Sequence, residues 1–340
     1  MVTIYDVAER AGVSASTVSR VLNDVGRVDA TLAERVREAA TELSYQRNVV
    51  ARNLRRQTSS LWAVLISDVE NPFFTSLVRG VEDVALDVGF SVVLCNSDEK
   101  ADKEDSYVSA VLGEKMAGVL VSPARQSTAV DRLVAADVPV VVLDRAVAAT
   151  DSGLADGVLV DNESGARRAT SHLVEAGYRR IACITGPAAL STASARLRGY
   201  KAALWEAGLE ADEGLVRRAD FREAGGSAAM SSLLDAPDPP DAVFVANNLM
   251  TVGAIEVIAQ RGIDVPAELG VVGFDEVPWA GLVRPSLTTV AQPTYEIGKV
   301  AAQLLVERIR GERAEAAHRT LSTELRVRSS SAGPRTRAVS

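Results

Sequence analysis

Residues 3–23 read TIYDVAERAGVSASTVSRVLN and carry side chains whose types and spacing suit contacts with DNA. The pattern predicts two short helices joined at Gly12, where a chain reversal favours a left-handed backbone. Thr3 and Asp6 have the spacing of a capping box for the first helix, and Ser14 is a natural N-cap for the second. The outer face of the second helix is expected to carry small side chains and one arginine: Ala15, Ser16, Ser19 and Arg20. A helix of this kind suits insertion into a major groove.

The flanking segments decide between a DNA-binding unit and a three-helix bundle without a nucleic-acid role. Residues 30–43 predict a third amphipathic helix. Its inner face is expected to carry Leu32, Val36, Ala39 and Leu43. Residues 47–56 then hold four arginines and no acidic residue. Residues 1–60 have a net charge of +2 in a chain of net charge −8, so the remaining 280 residues carry −10. This asymmetry favours DNA contacts by the N-terminal end alone.

Composition and the rarer residue types exclude several other classes of protein. A chain of 340 residues, 47% hydrophobic and 24% charged, is expected to fold as more than one globular domain. It shows neither a signal peptide nor an apolar run that could span a bilayer, so we expect a cytoplasmic protein without membrane contact. Cys95 and Cys183 are expected to be buried thiols, and the distant His172 and His318 argue against a metal site. The glycine-rich motifs of dinucleotide and P-loop sites are absent, so we expect no cofactor.

From Leu61 onward, short apolar runs alternate with amphipathic segments of helical length, which is typical of buried parallel sheets covered by helices. Strands are predicted at residues 61–66, 90–94, 118–121, 138–143, 157–160, 180–184, 242–245, 269–273 and 287–290. Helices are predicted at residues 73–88, 101–114, 127–136, 163–176, 194–207, 223–234, 249–261 and 294–310. The order repeats in two halves, 61–160 and 161–290, and residues 293–328 add a helix and an edge strand. Such halves leave a ligand cleft between the carboxyl ends of their strands.

Longer phrases of the sequence resemble the LacI-type bacterial transcription repressors. VTIYDVAERAGVSASTVSRVLN is similar to their headpiece and NVVARNLRR to their hinge helix, while ENPFF, HLVEAGYRRIACITGP, VFVANNLM, VPAELGVVGFDEV and LTTVAQP are similar to their core. The resemblance implies an all-α helix-turn-helix headpiece and hinge helix. An α/β periplasmic-binding-protein-like core of two doubly wound parallel-sheet subdomains is expected to follow.

The resemblance also implies the domain boundaries. The headpiece is expected at residues 1–47, the hinge helix and linker at 48–60, and the effector-binding core at 61–328. Within the core, the N-subdomain is expected to contain residues 61–160 and 293–318, and the C-subdomain residues 161–290 and 319–328. The last segment, 329–340, reads as a disordered tail.

The cleft of this family is similar to that of ribose-binding proteins, and the residue types of the ribose pattern can be placed on this chain. They fall on Asn71, Phe73, Phe74, Asp144, Arg145, Arg196, Phe221, Asn247, Asp275 and Gln292. Aromatic faces can cover the C–H faces of a pentose, carboxylates can accept from its hydroxyls, and guanidinium groups can donate. The resemblance therefore implies a small sugar effector, ribose or a similar pentose.

Other interpretations of the same residues remain open. Phe73 and Phe74 could be core residues at a helix start, and Asp144 with Arg145 could be a surface ion pair of little energy. Asp144 and Asp275 could be a carboxylate pair of a sugar-cleaving enzyme, but no metal or activated nucleophile accompanies them, so we expect no catalysis. A transport binding protein would need a signal peptide and would lack residues 1–60. A hexose, a nucleoside or purine, or a protein co-regulator remains a possible effector, although purine-type relatives carry an arginine where this chain has Leu190.

The resemblance places the DNA contacts on the headpiece and on the hinge. They are Thr3, Ser14, Ala15, Ser16, Thr17, Ser19, Arg20, Asn23, Arg27, Asn48, Ala51, Leu54 and Arg55. The resemblance implies a hinge helix at residues 48–56. A helix this short is not stable alone, so we expect it to fold on DNA. The resemblance also implies that Leu54 enters the minor groove as an apolar wedge. One headpiece makes few contacts, so we expect a homodimer on a near-palindromic double-stranded operator.

Overall fold

The structure, a computed structural model, describes residues 2–22, 28–45, 59–124, 128–151 and 153–334. The chain divides into two compact units between Thr58 and Ser59. The predicted hinge helix lies outside the described residues, and so do six predicted DNA contacts: Asn23, Arg27, Asn48, Ala51, Leu54 and Arg55.

The described part of the first unit contains three helices, α1 (Ile4–Ala11), α2 (Ala15–Leu22) and α3 (Ala30–Glu42). The predicted capping box is confirmed, because the Thr3 side chain accepts from the Asp6 N–H and the Asp6 carboxylate accepts from the Thr3 N–H. Gly12 ends α1 with φ 64°, in the left-handed region. The Arg35 guanidinium donates to the Ala11 carbonyl beside it, at 2.5 Å. Ser14 begins α2 as predicted, because its hydroxyl accepts from the Thr17 N–H at 3.2 Å.

The small core of the first unit lies between the three helices and includes Val7, Val18 and Val36, each fully buried. The predicted inner face of α3 is wrong at its start. Ala33 packs into this core, whereas Leu32 is only half-buried and lies outside the cluster. Ala15, predicted to point outward, is half-buried and packs against the same core. Both differences arise because a helix of 3.6 residues per turn brings neighbouring positions to the edge of a face.

The second unit is built on two six-stranded sheets. The N-subdomain sheet has the order β11-β5-β4-β3-β1-β2, with every pairing parallel. Its elements in chain order are β1 (Leu61–Ile66), α4 (Pro72–Asp87), β2 (Ser91–Asn96), α5 (Ala101–Gly113), β3 (Gly118–Val121), α6 (Ala129–Ala135), β4 (Val140–Leu143), α7 (Ala148–Asp151), β5 (Asp156–Val160), α12 (Thr294–Ile309) and β11 (His318–Leu321).

The C-subdomain sheet has the order β12-β10-β9-β8-β6-β7, and only the edge pair of β12 and β10 is antiparallel. Its elements are α8 (Asn162–Glu175), β6 (Ile181–Thr185), α9 (Ser191–Glu206), β7 (Val216–Arg218), α10 (Glu223–Leu234), β8 (Ala242–Val245), α11 (Asn248–Gln260), β9 (Gly270–Phe274), β10 (Thr288–Ala291) and β12 (Glu324–Arg326). The two doubly wound parallel-rich sheets confirm the predicted fold class, and the short β7 and α7 were not predicted.

The C-terminal part of the chain corrects two predictions. The boundary between residues 318 and 319 is wrong, because strand β11 (His318–Leu321) pairs along its whole length with β5 of the N-subdomain. Residues 329–334 are also not a disordered tail. A 3-10 helix covers Ser329–Ser331, and the buried Ser330 hydroxyl donates to the Val271 carbonyl at 2.7 Å. The sequence does not predict this ordered segment, because a run of three serines resembles a linker and the partners of these serines lie far away in sequence. Residues 335–340 lie outside the described residues.

The central strands of the two sheets are continuous apolar runs because helices cover both faces of each sheet. All four residues of β3, β4 and β8 are buried. This pattern leaves the polar residues that follow the strands at the carboxyl edge of each sheet, where the site lies. No helix in the described part of the chain is both long and apolar enough to cross a membrane.

Candidate functional site

A cavity lies between the N- and C-subdomains, at the carboxyl ends of their strands. The structure brings all ten predicted pocket residues to its wall: Asn71, Phe73, Phe74, Asp144, Arg145, Arg196, Phe221, Asn247, Asp275 and Gln292. These residues come from parts of the chain that are distant in sequence. The cavity has the position of a small-molecule site in an α/β protein.

Arg145 follows β4 and is held on the N-subdomain side of the cavity. Its two terminal nitrogens bind the Glu99 carboxylate in a fork, at 2.8 and 2.5 Å, and one of them also donates to the Pro123 carbonyl at 2.9 Å. Burial by itself would lower the pKa of Arg145, but the hydrogen bonds and charge of Glu99 raise it. The guanidinium is therefore fixed in place and fully charged.

Asp144 precedes this arginine and is 9% exposed. Its backbone lies in the left-handed region, with φ 63°. Burial raises the pKa of Asp144, while Arg145 and, from the opposite subdomain, Arg196 oppose that rise. A buried carboxylate of this kind can accept from a ligand hydroxyl when it is ionised.

Arg196 lies on α9 and is 3% exposed. It donates to the Asn162 side-chain oxygen at 2.7 Å and to the Ala246 carbonyl at 2.6 Å. Its guanidinium carbon lies 3.8 Å from the centre of the Phe274 ring, and its Nη1 lies 3.8 Å from an Asp275 carboxylate oxygen. Burial lowers the pKa of Arg196, and Asp275 and Asp144 act against that change.

Phe221 covers part of the cavity from the C-subdomain. It has φ 64°, a conformation that costs a bulky residue of the order of 1–2 kcal/mol. The Asn247 side-chain amide donates to its carbonyl at 3.0 Å, and the Asn247 oxygen caps α11 by accepting from the Met250 N–H. The ring lies against Gly186, where a methyl group would overlap it. Gly186 therefore allows the ring to lie where it does.

The remaining predicted residues complete the wall. Phe73 and Phe74 are both buried at the start of α4 and contact each other edge to face, with ring centres 4.9 Å apart. Asp275, with φ 74°, accepts from the Gln292 amide at 2.5 Å. The Gln292 oxygen is buried without a hydrogen-bond partner in the structure.

Among the described residues, three direct polar contacts join the subdomains around the cavity. The Asn248 amide donates to the Asn71 oxygen at 2.8 Å, and the Arg222 guanidinium lies 2.9 Å from the Asp68 carboxylate. The Ala146 N–H donates to the Ser191 hydroxyl at 3.1 Å. Burial raises the pKa of Asp68, and Arg222 opposes that rise. These three contacts between the subdomains are all polar.

Sequence reasoning missed six residues that also line the cavity. They are Ser67, Asp68, Glu99, Thr192, Asp220 and Arg222. Five of the six follow strand ends, and the strand assignments could have supplied this signal for three of them: Ser67, Asp68 and Glu99. Thr192 lies in the first turn of α9, and β7, which precedes Asp220 and Arg222, was not predicted.

No group of three or more His, Cys, Asp or Glu side chains suited to a metal ion occurs in the part of the chain that the structure describes. Cys95 and Cys183 are both buried thiols, as predicted.

The predicted DNA-contacting face lies at the start of α2 in the first unit. The hydroxyls of Ser14, Ser16 and Thr17 form one cluster, with Ser14 lying 2.7 Å from Ser16 and 2.9 Å from Thr17. Ser16 and Arg20 are exposed on the same helix, whereas Ser19 is half-buried. Thr3 is exposed, although its hydroxyl is held by Asp6. These hydroxyl groups and the arginine can contact phosphates and base edges.

A helix-turn-helix unit followed by a two-subdomain core with a polar cavity is typical of a DNA-binding regulator. Comparison with known proteins identifies the family. Residues 3–48 match the description "Bacterial regulatory proteins, lacI family", and residues 170–331 match "Periplasmic binding protein-like domain". The ribose operon repressor of Halalkalibacterium halodurans is 37% identical over 337 residues, which cover 98% of both chains.

Two solved structures extend the comparison to the whole fold. The Lac repressor dimer bound to operator superposes with a TM-score of 0.86 at 29% identity, over 97% of this chain and 99% of that one. The transcriptional regulator CelR in its complex with cellobiose gives a TM-score of 0.75 at 36% identity, over 97% of this chain and 100% of that one. The protein belongs to the lacI family of bacterial regulatory proteins and is a DNA-binding transcription repressor, not an enzyme.

Proposed function

We propose that this repressor binds a near-palindromic operator as a homodimer and that a small sugar, ribose or a similar pentose, controls its affinity for DNA. The observation that carries the effector assignment is the convergence of all ten residues of the ribose pattern on one cavity. The likeness to a ribose operon repressor along the whole chain supports the same effector.

The contacts of the cavity support a polyol ligand in chemical terms. Asp144 and Asp275 offer buried carboxylates to hydroxyl groups, and Phe73 and Phe221 offer aromatic surface to C–H groups. Charge-assisted hydrogen bonds of this kind are about twice as strong as neutral ones. A site built on them also rejects analogues that leave its polar groups unpaired.

Control of DNA binding follows from the position of the cavity between two subdomains. A sugar that bridges both walls favours one angle between them, and in a dimer that angle sets the spacing of the two headpieces. The coupling is typically about 1–3 kcal/mol and is reciprocal between sugar and DNA. A repressor of bacterial genes acts where the chromosome lies, so we place it in the cytoplasm.

Two measurements test the proposal. Titration calorimetry of the full chain with pentoses, hexoses and cellobiose should give saturable binding for ribose or a close pentose. Fluorescence anisotropy with operator fragments, selected from a random pool, should give an affinity that falls steeply with salt and changes when the sugar is added. A chain that retained no fragment at low ionic strength would refute the DNA-binding assignment. If cellobiose bound tightly and no pentose bound, the proposed effector would be a disaccharide and not a pentose.

A further inference from the structure

The charged groups that line the cavity are mainly acidic. Three arginines are outnumbered by five carboxylates: Asp68, Glu99, Asp144, Asp220 and Asp275. Burial raises the pKa of two of these groups, Asp68 and Asp144. If both were protonated, three negative charges would balance the three arginines and the wall would be neutral. If both are ionised, the wall has a net negative charge. In neither state does the wall attract an anion.

Each arginine of the cavity is already paired with a carboxylate of the protein. Arg145 is held in a fork by Glu99, and Arg222 lies 2.9 Å from Asp68. Arg196 donates hydrogen bonds to the Asn162 side chain and the Ala246 carbonyl, and it lies 3.8 Å from the Asp275 carboxylate. A phosphate group would have to displace one of these pairs before it met a free guanidinium.

Backbone donors near the cavity are also occupied. Helix N-termini commonly bind anions, and α4 and α11 begin at this edge of the sheets. However, the Phe73 N–H donates to Asn71, the Met250 N–H to Asn247 and the Arg222 N–H to Asp220. These acceptors belong to the protein, so the donors are not available to a phosphate.

Some hydrogen-bonding capacity remains among the buried atoms of the cavity wall. Three lining atoms are buried without a hydrogen-bond partner in the structure: Ser67 Oγ, Gln292 Oε1 and Arg145 Nε. The glutamine oxygen can only accept, the serine hydroxyl can do both, and only the arginine nitrogen must donate. Sugar hydroxyls can donate to such acceptors, whereas the oxygens of a phosphate dianion can only accept.

We propose that the effector site of this repressor selects uncharged sugars and excludes their phosphate esters and nucleotides. This inference rests on the sugar-controlled function proposed above and narrows the chemical class of its ligand. The wall carries more carboxylates than arginines, and its arginines are already paired within the protein. It selects the free sugar by repelling the charge of the phosphorylated form, because like charges brought together in a desolvated site cost affinity.

The experiment is calorimetry of the full chain with matched pairs: ribose with ribose 5-phosphate, glucose with glucose 6-phosphate, and adenosine with adenosine monophosphate. We expect one uncharged compound to bind and its phosphorylated partner to bind about 100-fold more weakly or not at all. A phosphorylated compound that binds as tightly as its partner would overturn the selectivity and leave sugar control intact. If no member of any pair binds, the proposed effector class fails and the selectivity fails with it.

A charge variant tests the cause of the selectivity. Asp220 lies exposed at the mouth of the cavity, and its carboxylate accepts from the Arg222 N–H. Asp220→Asn should reduce the ratio of neutral to phosphorylated affinity by about fivefold, because one repulsive charge is removed. Asp238→Asn, on a carboxylate 77% exposed and outside the cavity wall, should leave that ratio unchanged. Equal ratios in both variants would show that wall charge does not set the selectivity.

Discussion

Replacement of the buried Arg196 by alanine provides the sharpest test of how the core is held together at its cleft. The side chain is 3% exposed and joins three parts of the C-subdomain: Asn162 at the start of α8, the Ala246 carbonyl after β8 and the ring of Phe274 on β9. Arg196→Ala leaves two buried acceptors without their donors. It also leaves the Asp275 carboxylate without a cation 3.8 Å away.

The magnitude follows from these contacts. A hydrogen bond to a charged group contributes about 1.5–3 kcal/mol, and a desolvated cation over an aromatic ring about 2 kcal/mol. Contributions that share one side chain do not add, and removal of one partner of a buried charged network costs about 3–5 kcal/mol. We therefore expect the free energy of unfolding of the core to fall by about 3–5 kcal/mol.

Arg198 supplies a matched control on the same helix. Its side chain is 62% exposed and pairs with Glu163 at 2.8 Å. An exposed pair of this kind contributes about 0–1 kcal/mol, so Arg198→Ala should change the free energy of unfolding little.

Urea unfolding followed by tryptophan fluorescence measures the difference. Trp62, Trp205 and Trp279 are all of the tryptophans, and all lie in the second unit. The signal therefore follows the core and not the headpiece. At a temperature where the variant core is still folded, anisotropy should show that Arg196→Ala retains operator binding and loses the response to sugar.

Two results would refute this reasoning. Equal urea midpoints for Arg196→Ala and Arg198→Ala would mean that the buried donors add nothing to stability. Loss of operator binding while the tryptophan signal still reports a folded core would mean that the arginine acts on the headpiece as well.

Three further outcomes are expected. Asp68→Asn removes the carboxylate of an ion pair that crosses the cleft, so calorimetry should show that sugar affinity falls about tenfold. The control Asp83→Asn, within the N-subdomain, should leave sugar affinity unchanged. Equal sugar affinities in the two variants would show that the ion pair does not stabilise the closed cleft. Gly186→Ala should displace the ring of Phe221 and weaken sugar binding at least about tenfold while the urea midpoint moves little, and a ring unmoved in a crystal structure of the variant would contradict this. Because burial raises the pKa of Asp144, the carboxylate gains its proton at a higher pH than an exposed aspartate, so sugar affinity should fall as the pH is lowered through that raised pKa, and Asp144→Asn should flatten the profile. The stability of the fold should depend on pH in the opposite direction. The raised pKa of Asp144 stabilises the folded state below the unfolded-state pKa of about 3.9, and this contribution is lost as the pH rises through the folded-state pKa.

The periodic and local features of this chain could be predicted from sequence because their causes lie within a few residues. The Thr3 and Asp6 capping box, the left-handed Gly12 and the strand Leu61–Ile66 occur where the pattern places them. The ten pocket residues follow from a resemblance along the chain, and the structure then brings them to one wall. Chemical types and local geometry were therefore available before any tertiary contact was known.

Contacts between distant segments were decided only by the tertiary structure. The pairing of Asp68 with Arg222 joins two subdomains, and neither residue carries a local pattern that points to the other. Strand β11 is mostly exposed and too short to show a period, so its membership of the N-subdomain sheet depends on its hydrogen bonds to β5. Ser330 lies in a serine run that resembles a linker, and only the structure shows that its hydroxyl donates to the Val271 carbonyl. Sequence determines which groups the chain can offer, and long-range packing decides which of them meet, because burial and pairing depend on segments far apart along the chain.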